Sequence, residues 1–450
     1  MSAPSNKLET LMRNDTRFLL TDQHAGIGPG DLPEVFPLRQ KFERPVEADV
    51  VGTVRREMAP IIAQVRAGQR IAITGSSRGI TNLSAVVREL VDAVRAAGAT
   101  PFVVPGMGSH GGATAEGQQQ VLSDTNQISE ATLGCAIEAT METIHVGTTQ
   151  SGFPVHQDRL CHEADGVIVI NRVKPHTSFT EVVESGICKM LVIGLGKQIG
   201  ASAIHQQSLR VPMGTLILDA SRIIVESERP RLLGGIALVE NAFKETALIQ
   251  HVPLHDHDAL VEAETALLKR AYELFPRIPF EHLDALIIEE MGKNISGSGM
   301  DTNVIGKKEG LSAPRIGAIY VRGLTEQTHG NAVGIGNADV ILRDTLSEID
   351  LNSTYMNAFT AKRLYIGKIP LVVDDELQVM QILGNFRQAT AIDSLRLAWI
   401  ENTSKLAQLW ASKALYEEVM AHPRLQVLAP PQALAYDQNM RLCLPQAAAA

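Results

Sequence analysis

The sequence has few cysteines, and none of them stands in a metal-binding or redox pattern. The chain of 450 residues contains four, at Cys135, Cys161, Cys188 and Cys443, and no two of them form a C-x-x-C pair. This set indicates neither a zinc knuckle nor a disulfide framework. We therefore expect a protein of a reducing compartment, the cytoplasm.

Long apolar runs and a secretory signal are also missing. Runs such as residues 285–288 are far shorter than the roughly 20 apolar residues that cross a bilayer. Residues 1–15 are polar and of mixed charge, without the apolar region of a signal peptide. The sequence therefore predicts a chain that neither spans a membrane nor is secreted.

An excess of basic residues is absent as well. The 50 Asp and Glu residues outnumber the 41 Lys and Arg residues, and the formal net charge is −9. This balance disfavours nucleic acid and anionic membranes as partners, although a local basic pocket stays possible. Hydrophobic residues make up 45% of the chain, which is enough for large cores. At roughly 100–200 residues per domain, the length favours two or three domains.

A repeated strand–loop–helix order follows an irregular leader at residues 1–45. Short, largely apolar runs predict strands, and amphipathic stretches predict helices between them. The predicted strands lie at 70–74, 101–104, 165–170, 190–195 and 232–239, and the predicted helices at 48–66, 82–97, 114–123 and 259–274. Buried strands that alternate with helices favour parallel sheets covered on both faces.

The segment from Phe275 to Pro279 contains two prolines and is the clearest linker in the chain. A second α/β pattern follows it. Its predicted strands lie at 283–288, 316–321 and 371–373, and its predicted helices near 375–385 and 404–420. We therefore predict an α/β protein of two lobes with mainly parallel sheets, residues 1–275 and residues 276–450. We also predict an active-site cleft between the lobes, since clefts of this kind hold most small-ligand sites.

Open α/β sheets bind ligands at the carboxyl ends of their strands. The loop after the first predicted strand, residues 75–79, combines small residues with Arg78, which suits a carboxylate or phosphate. An ordinary tight turn with a solvated arginine is the alternative. The next loop isolates His110 among Gly and Ser residues, so His110 has little side-chain cover. Exposed turn histidines are common, so this feature alone does not decide between a functional histidine and an ordinary exposed one.

The loop at residues 171–178 places two cations and His176 after a buried strand. Burial there would be costly unless an anion binds, and a surface loop is the alternative. Lys189 stands at the edge of the predicted strand 190–195. Desolvation there can make its neutral, nucleophilic amine accessible, although a lysine that reaches water explains the position equally well. His205 follows 16 residues later.

Two further motifs are weaker. The glycines at 194, 196 and 200 have one residue too many for the dinucleotide fingerprint G-x-G-x-x-G. The histidines at 251, 255 and 257 have a spacing that could suit a metal, but Asp256 and Asp258 resemble N-cap residues of the following helix. In the second lobe, the Gly/Ser-rich loop 291–301 offers Lys293 and Asn294.

In combination, these residues resemble the nickel-dependent lactate racemase family, most clearly over residues 70–210. The features that carry the resemblance are the arginine loop at 75–78, the isolated His110, the strand-end His176, and Lys189 with His205. Spacings of 32 residues from Arg78 to His110, 66 from His110 to His176 and 16 from Lys189 to His205 are close to those of that family. Each motif alone has little specificity, whereas the set is specific.

The resemblance implies a nickel-pincer nucleotide, a pyridinium mononucleotide whose sulfur groups and ring carbon hold Ni. It implies that Lys189 anchors this cofactor, that His205 is the protein ligand of nickel, and that His110 and His176 are acid/base groups on opposite faces of the substrate. It also implies that Arg78 holds the substrate carboxylate. We further expect Ser76, Ser77 and Ser178 at the cofactor. Lys293 is our choice for the substrate lysine of the second lobe, over Lys307 and Lys308.

The chemistry of the residues agrees with these roles. Histidine is the usual acid/base group near neutral pH, and hydride transfer to a cofactor avoids a carbanion beside a carboxylate. Imidazole nitrogen and sulfur suit Ni(II). We therefore expect a racemase or epimerase that inverts C2 of a 2-hydroxy acid. Gly75 replaces an aspartate that is usual in the family, and the segment from His176 to Lys189 is longer than in the lactate enzyme. Both differences border the pocket and argue against lactate itself. The loops at 293–303 and 326–331 are rich in hydroxyl and amide groups, so we expect a substrate larger or more polar than lactate.

Two alternatives stay open at this point. A nicotinamide-dependent 2-hydroxy acid dehydrogenase would need an acidic residue about twenty positions beyond the glycines, where Asp219 stands, but the glycine spacing is wrong. A non-catalytic binding homologue would keep the fold without the cofactor. The expected partners are a small-molecule substrate and cofactor-synthesis proteins, with neither nucleic acid nor membrane, and a homo-oligomer is compatible with the sequence.

Overall fold

The computed structural model describes residue 28 and residues 30–77, 79–386 and 391–445. Its contacts divide the chain into two compact units. The first unit contains residues 42–276 and 308–311, and the second unit contains residues 277–307, residues 312 onward and the described residues before 42. The division predicted at 275/276 assigned residues 34–41 to the first domain, whereas their contacts place them in the second unit.

Each unit is built on its own sheet. The strands are β1 (Glu34–Gln40), β2 (Arg70–Gly75), β3 (Thr100–Pro105), β4 (Ala136–Ile137), β5 (Thr143–Thr148), β6 (Pro154–Asp158), β7 (Gly166–Arg172), β8 (Leu232–Glu240), β9 (Thr246–Val252), β10 (His282–Met291), β11 (Arg315–Leu324), β12 (Val340–Leu342), β13 (Leu371–Val373), β14 (Leu397–Ile400), β15 (Gln408–Ser412), β16 (Leu425–Val427), β17 (Gln432–Ala433), β18 (Ala435–Tyr436) and β19 (Leu442–Cys443). The α-helices are α1 (Val50–Ile62), α2 (Leu83–Ala96), α3 (Ala115–Asn126), α4 (Glu130–Leu133), α5 (Arg159–Glu163), α6 (Ile187–Lys189), α7 (Lys197–Gln207), α8 (Met213–Glu226), α9 (His257–Leu274), α10 (Arg343–Ser347), α11 (Leu351–Thr360), α12 (Glu376–Gly384) and α13 (Tyr416–Ala421).

The sheet of the first unit has the order β4-β3-β2-β7-β8-β9. All pairs are parallel except β8 with β9, which are antiparallel. The central strands are apolar along their length because helices cover both faces of the sheet. Val167 and Ile168, which point to opposite faces, are both completely buried, and each belongs to a different core cluster.

The sheet of the second unit has the order β13-β12-β11-β10-β14-β15-β1-β16, with β17 paired to β1. It is parallel from β13 to β14 and antiparallel from β14 to β16. The predicted α/β class with mainly parallel sheets is therefore confirmed. Residues 34–40, predicted as part of an irregular leader, form β1 instead, because strands distant in sequence supply the hydrogen-bond partners.

Two other local predictions were wrong. Residues 190–195 are helical, since α6 continues into a π-helix over Met190–Gly194. A short apolar run has no periodicity that separates a buried strand from a buried helix. Within the predicted helix 404–420, residues 408–412 form β15, and α-helix begins only at Tyr416.

No single helix among the described residues is both long and apolar enough to cross a membrane.

Candidate functional site

Three loops of the first unit leave the carboxyl edge of its sheet side by side. They follow β2, β3 and β7, and β2 lies between β3 and β7 with parallel pairing on both sides. Parallel strands end at the same edge, so their following loops are neighbours. The loops after β3 and β7, which carry His110 and His176, therefore flank the loop after β2.

The loop after β2 contains the predicted cofactor serines. Ser76 is buried, and its carbonyl accepts a hydrogen bond of 2.9 Å from Asn126 Nδ2 on α3. Ser77 is half-buried, and its Oγ lies 2.6 Å from His110 Nδ1. Arg78, predicted to hold the substrate carboxylate, lies outside the described residues.

His110 stands in a loop that packs tightly against the π-helix. Gly108, at φ +60°, donates its N–H to the carbonyl of Gly194 at 3.0 Å. A Cβ on Gly108 would lie 3.1 Å from the Ile193 carbonyl oxygen, so glycine permits both the left-handed backbone and this approach. The His110 residue itself is exposed, and its side chain hydrogen bonds to Ser77.

His176 is half-buried and fixed on three sides. Its ring stacks on Phe179 with 4.4 Å between the centroids, and its Nδ1 accepts the backbone N–H of Ser178 at 3.1 Å. Its own backbone N–H donates to Glu184 Oε2 at 2.5 Å. Because Nδ1 accepts a hydrogen bond, the neutral ring carries its proton on Nε2.

Glu184 is a buried residue that the sequence reasoning missed. Its carboxylate accepts hydrogen bonds from Lys308 Nζ at 2.9 Å and from the Tyr272 hydroxyl at 2.7 Å, and the side chains of Glu184 and Lys308 are 0% exposed. Lys308, one of the lysines that competed for a substrate role, is thus an ion-pair partner behind the His176 loop. A lone carboxylate in the segment 182–188, which contains four apolar residues, was the available signal, since burial requires a partner.

Lys293, the lysine chosen for substrate binding, lies in the second unit. It is half-buried, and its Nζ donates to Asn357 Oδ1 on α11 at 2.6 Å. Its backbone N–H donates to Thr328 Oγ1 at 3.2 Å. A structural partner therefore exists for this ammonium group within the second unit.

Lys189 is the last residue of α6, not the edge of a strand. Its Nζ donates to Ser185 Oγ at 3.5 Å, and Ser185 forms an antiparallel bridge with Lys174 of the loop after β7. Asn171 Nδ2, at the end of β7, donates to the Gly186 carbonyl at 2.7 Å. The start of α6 is therefore attached to the strand that leads to His176, and Lys189 lies near that loop.

Glu264, on α9, contacts the start of α6 through its buried carboxyl group. Its Oε2 accepts the backbone N–H of Cys188 at 2.8 Å, and a Cβ on Gly186 would lie 2.3 Å from its Oε1. Burial is the main effect on this carboxyl group and raises its pKa to about 7, while hydrogen bonds from Cys188 and Ile187 act in the opposite direction.

His205 is half-buried in the third turn of α7. Helix α7 bends by 106° from the helical segment Ile187–Gly194 that contains Lys189. Both predicted cofactor residues therefore lie on consecutive helices joined by a short turn. Ser178, the remaining predicted cofactor residue, is half-buried in the loop after β7, where its N–H is bound to His176.

The other histidine cluster has structural partners. Asp256 caps α9 by accepting the Ala259 N–H at 2.8 Å, and His257 Nε2 lies 2.9 Å from Ser221 Oγ in the core. His251 lies on β9, with its N–H bound to Glu57. Within the described ranges, no group of three or more His, Cys, Asp or Glu side chains could hold a metal ion by itself.

Comparisons with known proteins found a family model that matches part of the chain. Residues 39–213 match the family model of the lactate racemase N-terminal domain. No curated protein matches the chain. Among solved structures, the chain is similar to a protein from Thermotoga maritima, with 12% identity, a TM-score of 0.50 and coverage of 72% of this chain and 84% of that one. It is also similar to the lactate racemase apoprotein from Thermoanaerobacterium thermosaccharolyticum, with 12% identity, a TM-score of 0.46 and coverage of 85% and 97%.

Proposed function

We propose that this protein inverts C2 of a 2-hydroxy acid with a nickel-pincer nucleotide as hydride acceptor, and the match of residues 39–213 to the lactate racemase N-terminal domain supports the proposal. The observation that carries this proposal is the position of two histidines. His110 and His176 follow β3 and β7, the two neighbours of β2 in the sheet, so their loops flank the loop after β2. Racemisation needs an acid/base group on each face of the substrate, and two flanking loops can supply them.

The residues present fit such a cofactor. When bound, the nickel-pincer nucleotide supplies an electrophile that accepts hydride from C2. The cofactor would bring its own sulfur and carbon donors to nickel, and we propose His205 as the imidazole ligand that the protein would add. Lys189 would anchor the cofactor, and Ser76, Ser77 and Ser178 would contact it from the loops after β2 and β7. A site of this kind does not require a cluster of protein ligands.

The two histidines would move the hydroxyl proton through Nε2. Nδ1 of His110 is engaged by Ser77 and Nδ1 of His176 by the Ser178 N–H, so we assign the proton transfer to Nε2 of each ring. Ser77 can donate or accept, which allows His110 either neutral tautomer. The Ser178 N–H can only donate, which keeps the proton of neutral His176 on Nε2. His110 is thus suited to receive a proton while His176 starts as a donor.

The proposed substrate is larger or more polar than lactate, with sugar acids and hydroxy-diacids as candidates. Gly75 offers no carboxylate beside the arginine loop, and the extended segment between His176 and Lys189 contains Glu184, which binds Lys308. Arg78 would hold the carboxylate, and Lys293 stays a prediction for the second contact. Cofactor-synthesis proteins would act as maturation partners, and a homo-oligomer is compatible with the proposal.

The dehydrogenase alternative has lost its supporting motif. A dinucleotide fingerprint places its glycines in the turn between a strand and a helix. Here Gly194 ends a π-helix and Gly200 lies within α7, while Asp219 is exposed on α8. The motif therefore serves helix packing in this chain.

The proposal is tested by measuring inversion at C2 together with deuterium incorporation at that carbon. The full chain is co-expressed with the cofactor-synthesis enzymes and incubated in deuterium oxide with a panel of 2-hydroxy acids. For at least one acid we expect inversion of C2 without incorporation of solvent deuterium, because hydride, unlike a proton, does not exchange with the solvent. We also expect bound nickel by elemental analysis. His110→Ala and His176→Ala should each abolish inversion, whereas His145→Ala, an exposed histidine on β5, should not. Nickel-free protein after full maturation, or tight NADH binding in its place, would contradict the proposal.

A further inference from the structure

Lys197 is a lysine that the proposed chemistry does not use, yet it is 0% exposed. It opens α7 with φ +52°, a left-handed conformation that costs a non-glycine residue free energy. Such a conformation persists only where surrounding contacts fix it. Three acceptors surround its ammonium group: Asp158 Oδ2 at 2.8 Å, the Pro105 carbonyl at 2.6 Å and Gln118 Oε1 at 3.1 Å.

Each acceptor belongs to a different element. Asp158 ends β6 and caps α5 through the N–H groups of Leu160 and Cys161, and its side chain is also 0% exposed. Pro105 ends β3. Gln118 lies on α3 and is completely buried. The ammonium group thus forms an ion pair with a buried carboxylate and donates two hydrogen bonds, and such pairing is the condition for a stable buried charge.

Gln118 extends these contacts to the segment we call the His110 loop, residues 105–110. Its Nε2 donates to the Gly108 carbonyl at 2.8 Å and to the His110 carbonyl at 3.4 Å. An ammonium group can bind only the amide oxygen, so Lys197 fixes the Gln118 amide with its oxygen toward Lys197 and its NH₂ group toward the His110 loop. Three carbonyls of the His110 loop are therefore held by Lys197, either directly or through Gln118.

We infer that Lys197 is a positioning residue that fixes the His110 loop and the start of α7, the helix that carries His205, in one arrangement. The ion pair with Asp158 and the hydrogen bond to Gln118 form the connection. The importance of this arrangement for inversion of C2 rests on the proposed function, whereas the connection itself is a property of the folded chain.

The inference is tested by histidine NMR on the full chain without substrate, so that failure to find racemase activity leaves the result unaffected. The 13 histidines are labelled at Cε1, and His110→Gln identifies the His110 resonance. In Gln118→Met, the carbonyls of Gly108 and His110 lose their donor. We expect the His110 Cε1 resonance to move away from its wild-type position, because the loop that carries it is no longer held in one arrangement. Lys269→Met, on the exposed face of α9, is the matched control and should leave it unchanged.

A double variant separates positioning from stability. Lys197→Met alone leaves the Asp158 carboxylate buried and unpaired, and it should lower Tm strongly or prevent folding. Lys197→Met with Asp158→Asn removes both charges while the cap of α5 is kept, and it should recover most of the Tm. We expect the His110 resonance of the double variant to stay displaced, because Gln118 still lacks its partner. A double variant or Gln118→Met protein with a wild-type His110 resonance would overturn the inference.

Discussion

The imidazole Nδ1 of His110 and the hydroxyl of Ser77 lie 2.6 Å apart and join the loops that follow two adjacent parallel strands. This contact engages Nδ1, so the proton transfer proposed for His110 uses Nε2. It also couples the orientation of the imidazole to the loop that contains the predicted carboxylate-binding arginine.

Ser77→Ala should lower the rate of C2 inversion without unfolding the protein. Loss of one hydrogen bond of about 1 kcal/mol corresponds to roughly a five-fold loss if it acts fully on the reacting geometry. The effect should fall on kcat, since Ser77 orients the acid/base group. The measurement compares initial rates for the best acid of the panel, with exposed Ser347→Ala in the second unit as control. An unchanged kcat would show that the contact has no role in turnover.

Glu264→Gln should change how stability depends on pH. The pKa of Glu264 in the folded chain is about 7, above its ordinary 4.5, because burial disfavours the charged form. Its contribution to stability is therefore fully present below pH 4.5 and is lost as pH rises through about 7, by roughly 3 kcal/mol in all. Glutamine has no such loss, so the variant should gain stability over the wild type between pH 5 and pH 8.

Urea unfolding of the wild type and of Glu264→Gln at pH 5 and at pH 8 measures this difference in the free energy of unfolding. Glu262→Gln, exposed on the same helix, is the matched control and should follow the wild type. Parallel pH dependence of wild type and Glu264→Gln would show that Glu264 does not hold its proton in the folded chain.

Lys308→Met should destabilise the first unit severely. It leaves the Glu184 carboxylate buried without its cation, which typically costs about 3–5 kcal/mol. Adding Glu184→Gln should recover much of the loss, because the unpaired charge disappears. As a comparison, Lys413→Met breaks a solvent-exposed ion pair with Glu34 and should cost far less stability, because solvent screens that pair. Denaturant titration of the four proteins is the measurement, and equal losses for the two lysine variants would refute the assignment.

Lys189→Arg should abolish stable cofactor retention if the amine is the anchor. Arginine keeps the charge but lacks the nucleophilic amine. Intact mass spectrometry of matured protein under denaturing conditions should show added mass in the wild type and none in the variant. Lys174→Arg, in the neighbouring loop after β7, should retain the added mass. If wild-type protein contained nickel but showed no added mass, the cofactor would be bound non-covalently.

The sequence alone determined the parallel core of the first unit. Residues 70–74, 101–104 and 165–170 are apolar on both faces, and glycine or polar loops follow them, so both the strands and the edge at which His110 and His176 lie could be predicted. Local chain properties suffice there because burial on both faces leaves a continuous apolar run.

Only the tertiary structure decided which groups are paired. The run at 190–195 became a helix because it packs against the loop after β3, where a Cβ on Gly106 would lie 2.5 Å from Met190 Sδ. Residues 34–40 became a strand because β15 and β16 provide its partners. Glu184 finds Lys308 across 124 positions, and Lys197 finds Asp158 in another element. Long-range contacts of this kind have no local periodicity, so the ion pairs that hold the two histidine loops emerge only when the chain is folded.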